Sequence, residues 1–139
     1  MKRYIKAASS ISALQDAVMF VYDYAMQYCD TQLVEEILID NGAQESDEGP
    51  DGFLTGVNKQ QLINIIAELT HLLSNVVNKS ESSLIVDIVD SQLDDWIDSG
   101  MSDVDIDDAI FDLGGDESTI DELRRRGRID ENGHYVYKL

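Results

Sequence analysis

The sequence predicts a mainly α fold: a compact helical domain of about six helices, closed by a short C-terminal β-hairpin. Three observations across its 139 residues carry that expectation. Apolar residues recur three and four positions apart, side chains that cap helices stand ahead of those runs, and glycines stand behind them.

Ile11, Leu14, Val18, Tyr22, Ala25 and Cys29 share one stripe of a first helix, while Phe20, Tyr24 and Tyr28 share another. The second stripe suits either a second packed side or a homodimer surface. Asp30 caps a short helix holding Leu33, Val34, Ile37 and Leu38, and Asn41-Gly42 stops it. Residues 42–57 carry four glycines, the only proline and four acids, the composition of a mobile acidic loop.

Asn58, with Gln61 as its capping-box partner, opens the helix with the broadest apolar face, Leu62 to Val77, which reads as the central helix of the core. His71 falls opposite that face, a solvent position. A fourth helix runs from Ser80 to about Ser99, and Ser102 caps a fifth that ends at Gly114-Gly115. Ser118, with Asp121 three residues on, opens a sixth ending at Gly127, and Asn132-Gly133 between strand-like flanks signals the hairpin. An N-terminal half, 1–79, and an acidic half, 80–139, are expected to share one compact domain.

The 43% apolar content is that of a globular chain, so a net charge of −18 decorates a core and does not imply disorder. Cys29 is the only cysteine, which excludes an internal disulfide and a multi-cysteine zinc site and fits a reducing, cytoplasmic setting. The basic opening residues are followed by Gln15, Asp16 and Asp23, which interrupt any signal-peptide stretch, and no apolar run is long enough for a membrane span.

The acids are distributed one-sidedly. Glu81 to Glu122 holds fifteen Asp or Glu and no Lys or Arg, and residues 7–58 hold ten acids and no base. At about 100° per residue, Asp87, Asp90, Asp94 and Asp98 fall within an arc of about 80°, opposite Ile85, Val89, Leu93, Trp96 and Ile97. Carboxylates four apart on a helix are about 6 Å apart along its axis, a spacing similar to that of phosphates along a strand. Asp95 adds to this row, and Asp103, Asp105, Asp107, Asp108 and Asp112 extend the charge into the next helix. Such a surface repels nucleic acid and attracts basic proteins, or else serves solubility or a salty environment alone. These ten aspartates are therefore the candidate partner-binding residues, and Phe111, which projects away from the Ile106 and Ile110 stripe, suits a second packing face or, as the alternative, an apolar anchor. Neutralising Asp87, Asp90, Asp94 and Asp98 is expected to leave folding intact and weaken partner capture.

Asp103-Val-Asp105-Ile-Asp107 begins like a calcium loop, but Asp108 stands where the turn needs glycine and Gly114 where a bidentate glutamate is required. No metal or other cofactor is expected. With two histidines, one cysteine and no phosphate loop or nucleophile elbow, no catalytic residue is assigned and the chain reads as non-enzymatic.

Asp107 to Ile129, then Asp130 to Tyr137, resembles the end of a winged helix-turn-helix domain: helix, glycine turn, a helix opening with Ser-Thr-Ile, then Gly-Arg-Ile and a hairpin. That resemblance implies DNA contact by Ser118, Thr119, Arg124, Arg125, Arg126 and Arg128. Asp116, Glu117, Asp121 and Glu122 would meet phosphates with carboxylates, so direct nucleic-acid binding is disfavoured. The alternative role of the arginines is to pair with neighbouring acids. Met1-Lys-Arg-Tyr-Ile-Lys6 resembles the start of small phage and mobile-element proteins. A small acidic helical protein from such an element is similar to anti-restriction and anti-CRISPR proteins. This resemblance implies inhibition of a basic nucleic-acid-binding protein, such as a CRISPR or restriction nuclease, by imitation of phosphates.

Overall fold

The computed structural model describes residues 2–43 and 56–137, with side chains from residue 11 onward. The acidic loop read at 42–57 lies outside the described residues from 44 to 55. Six helices follow one another: α1 (Lys2–Tyr28), α2 (Thr31–Asp40), α3 (Lys59–Val77), α4 (Glu81–Asp98), α5 (Asp103–Asp112) and α6 (Glu117–Arg125). None of them is long and apolar enough to cross a membrane.

Their starts follow the capping chemistry. The Asp30 carboxylate accepts the Gln32 N–H at 2.9 Å, and Asn58 and Gln61 exchange hydrogen bonds of 2.8 Å each. Ser80 and Ser102 cap α4 and α5. Each such side chain satisfies an amide that the first turn leaves without a helical acceptor. The sixth helix starts earlier than expected: Asp116 is the cap and accepts the amides of Ser118 and Thr119, which places Ser118 inside the first turn. Before it, Gly115 passes so close to α5 that a Cβ would stand 2.9 Å from the Ile110 carbonyl oxygen.

The helix that touches most others is α1 and not α3: it packs against α2, α3, α4 and α5. Its Ala13, Ala17 and Ala25 are buried, and side chains this small let neighbouring helices approach closely. At 27 residues it is about 40 Å long, enough to serve as a common wall. Leu14 and Val18 of α1, Leu62, Ile65, Ile66 and Leu69 of α3, Val89, Leu93 and Trp96 of α4, Ile106 and Ile110 of α5, and Leu123 of α6 are buried in a cluster spanning both halves of the chain. Each large apolar side chain removed from water contributes about 1.5–3 kcal/mol.

The C-terminal β-hairpin is a correction. Among the described residues no strand forms, and the segment after α6 holds one isolated antiparallel bridge, Ile129 to Tyr135. The reason lies in where its amides go. Tyr135 N–H donates to Asp103 Oδ1 of α5 at 3.0 Å, and the Asp130 carboxylate takes the amides of Asn132 and His134 at 2.9 Å each. The turn is closed by Gly133 N–H to the Asp130 carbonyl at 3.1 Å, with Gly133 at φ +84°. Val136 N–H to the Arg128 carbonyl and Asp130 N–H to the His134 carbonyl, 2.9 Å each, flank the bridge, so Tyr135 N–H points outward to α5, while the Asp130 carboxylate captures the His134 amide that the next rung would need.

Candidate functional site

The α4 carboxylate row is where the C-terminal segment sits. Because Leu84, Ile88, Val89, Leu93 and Trp96 bury one side of α4, Asp87, Asp90, Asp94 and Asp98 emerge on another, as helical projection requires. That side is covered. Arg126 lies between Asp87 and Asp90, with nitrogen to oxygen distances of 3.3 and 3.2 Å. Arg128 reaches Asp90 Oδ1 at 3.1 Å and donates to Asp94 Oδ1 at 2.9 Å. Lys79 takes the other oxygen of Asp87 at 3.0 Å, and the Tyr137 hydroxyl donates to Asp98 at 2.6 Å.

Arg128 is the unusual member, with a side chain only 1% exposed beside an Asp94 that is 47% exposed. The Arg128 Nε approach to Asp90 is an ion contact without hydrogen-bond alignment, and Nη1 is buried with no hydrogen-bond partner among the described residues. A charge removed from water in this way depends on its counter-ions.

A second clasp joins the same segment to α5. His134 Nδ1 lies 2.6 Å from Asp103 Oδ2, and the buried Tyr135 gives its hydroxyl to Asp107. The hydrogen bond to His134 holds Asp103 below the usual carboxylate range, and the same bond raises His134; burial, then the Asp107 bond, pushes the Tyr135 phenol up. A raised histidine contributes stability below its ordinary value of 6.5 and loses it as pH rises through the folded value. A lowered aspartate contributes above 3.8 and loses it as pH falls through the folded value. The clasp is therefore strongest between those two values. An NMR titration of His134 is expected to give a midpoint above 6.5 that drops in Asp103→Asn; an unchanged midpoint would show that the contact does not form.

The remaining expected partner-binding residues are placed as follows. Asp105 is closed into the Ser102 capping box, and Asp112 holds Lys59 at 3.1 Å. The Asp95 and Asp108 side chains are exposed and carry no hydrogen bond or ion pair among the described residues. Phe111 is 50% exposed and Val104, seven residues earlier on the same face, 67%.

Of the residues that the winged-helix resemblance assigned to DNA, Thr119 and Arg128 are buried, and Ser118 is tied to Asp116. Arg124 pairs with Asp121 at 3.0 Å and Arg125 with Glu122 at 2.7 Å. Each of the six Lys and Arg side chains described, Lys59, Lys79, Arg124, Arg125, Arg126 and Arg128, faces a carboxylate within the chain. The pairing of these arginines with neighbouring acids was legible in the sequence, but the reach of Arg126 and Arg128 across to α4 was not. The available signal was that the densest basic cluster, Arg124 to Arg128, follows directly on the long base-free stretch. His71 is exposed and lies 3.2 Å from Glu81.

Comparison with protein-family models, curated proteins and solved structures finds no match for this chain.

Proposed function

We propose that the protein is a non-enzymatic interaction protein that captures a basic, nucleic-acid-binding protein, of the restriction- or CRISPR-nuclease kind, by presenting carboxylates where that partner expects phosphates. The observation that carries this reading is the state of the cations. Every described Lys and Arg is neutralised within the chain, so those cations add little to the outward field, while Asp23, Asp95 and Asp108 face solvent without a counter-ion among the described residues. A surface of this kind accelerates encounter with positive protein surfaces and rejects phosphate backbones.

The internal arrangement around α4 supports the same chemistry. Carboxylates one turn apart on this helix receive guanidinium groups in pairs, as Asp87 with Asp90 and Asp90 with Asp94 do. What the row does for Arg126 and Arg128, the unpaired acids can do for a partner's arginines.

Capture from a bacterial lysate on the immobilised protein tests this reading. Retained proteins are expected to be basic nucleic-acid binders, eluted by moderate salt and displaced by added duplex DNA, while the protein itself leaves labelled duplex unshifted at low salt. Retention insensitive to duplex, or a duplex shift abolished by replacing Arg124 and Arg125 with Ala, would contradict it.

A further inference from the structure

We infer that the groove between α1 and α4, floored by Met19 and Phe20 and rimmed by Asp23 and Asp95, is the docking site for an arginine-bearing segment of the partner protein. This inference rests on the reading above and assigns it a place. The groove has a volume of about 360 Å³ and is completed by Asp16 and Gln92.

Asp23 on α1 and Asp95 on α4 line the groove from its two helices, and both side chains are exposed and without a hydrogen bond or ion pair among the described residues. Carboxylates facing one another across a groove repel, and a cation between them relieves the repulsion. This differs from the α4 row, whose carboxylates already hold Arg126, Arg128 and Lys79. A second groove, lined by Ser82, Ser83, Val86, Ser118, Glu122, Arg125 and Arg126, carries its own cations and has no such demand.

The floor selects among cations. Phe20 is partly buried and continues into an aromatic row along α1: its ring lies 6.3 Å from that of Tyr24, edge to face, and Tyr24 lies 5.3 Å from Tyr28. A planar guanidinium stacks on an aromatic face while its N–H fork reaches flanking carboxylates; an ammonium is a more strongly hydrated point charge without that fork. Gln92 adds an amide that can accept a further guanidinium N–H. An aromatic floor between carboxylate walls therefore fits arginine better than lysine. Phe20, Tyr24 and Tyr28, one turn apart, extend the apolar surface beyond the groove for the rest of an incoming segment.

On a chain of net charge −18 any polycation binds somewhere at low salt, so the test must report position. The probe is a nona-arginine peptide, with nona-lysine for comparison, titrated into the isotopically labelled full chain while affinity is measured in parallel. Because the Asp23 and Asp95 side chains make no bond among the described residues, Asp23→Asn with Asp95→Asn keeps the fold, and Asp108→Asn with Glu131→Gln makes the same charge change elsewhere. The groove variant is expected to weaken nona-arginine by at least about tenfold, the loss of a charge-assisted hydrogen bond, and the control by less than about twofold. Shifts should concentrate at the Gln92 side-chain amide and at residues 19–23 and 95, and nona-lysine should bind several-fold more weakly. Equal losses in the two variants, equal affinity for the two peptides, shifts centred on Val104 and Phe111, or no binding would each overturn the inference. Capture displaced by duplex, unaffected by the groove variant, would retain the function proposed above while removing this site.

Discussion

Replacing both Asp90 and Asp94 by Asn is expected to cost the folded state about 3 kcal/mol, the lower part of the range for stripping a buried ion of its partner. Arg128 would then be an almost wholly buried guanidinium left with a 3.4 Å contact to the Asp90 carbonyl as its remaining described hydrogen bond. The lower part of the range applies because Asp94 is nearly half exposed and its attraction is partly screened. Urea unfolding should show a midpoint lowered by about 1 M or more, with little change in slope. Arg128→Met should cost less. It leaves Asp90 with Arg126, and Asp94 is nearly half exposed, so no uncompensated charge stays buried. Equal stability in the wild type and the double Asn variant would mean that the C-terminal segment does not seat on α4. The expectation from sequence that neutralising Asp87, Asp90, Asp94 and Asp98 leaves folding intact is thereby reversed, because these side chains anchor residues 126–137.

The second large effect concerns acids that anchor nothing. Asp23→Asn, Asp95→Asn and Asp108→Asn together are expected to leave the unfolding midpoint within about 0.5 kcal/mol of the wild type, the usual range for surface changes. Their effect on association should be large. Removing three unpaired charges from the field that steers encounter should slow partner association about tenfold or more at low salt, with the difference shrinking as ionic strength rises. Stopped-flow or surface-capture rates over a salt series would show it. An unchanged rate with a salt slope equal to that of the wild type would assign the acidity of these positions to solubility alone.

Much of the fold was legible because it depends on local rules. Asn58 with Gln61, Asp30 and Ser102 could be read as caps from their own spacing, and most of the stripes they precede became the buried faces of α2, α3 and α5, with Leu33 and Val76 left exposed. The failures were non-local. Helical projection identified Asp87, Asp90, Asp94 and Asp98 as sharing a side of α4, but periodicity within one helix says nothing about what another segment lays over it. Asn132-Gly133 did mark a turn, yet whether flanking residues pair as strands depends on competing acceptors, and the Asp130 carboxylate supplies one for the His134 amide. Ser118 was read as a cap because Asp121 follows it, whereas Asp116, two residues earlier, offers a carboxylate that two amides reach. The central position of α1 was missed for a related reason. Its small buried residues Ala13 and Ala17 score weakly in an apolar pattern and stood outside the expected stripe, although with Ala25 they are what allow close helix packing.

The most direct test of phosphate imitation uses the captured partner in purified form. Its binding to labelled nucleic acid is measured while this protein is titrated in. Mimicry predicts mutual exclusion: nucleic acid is released as the protein reaches stoichiometry, with no species containing all three. A stable ternary complex, with the partner holding its nucleic acid and this protein together, would contradict it.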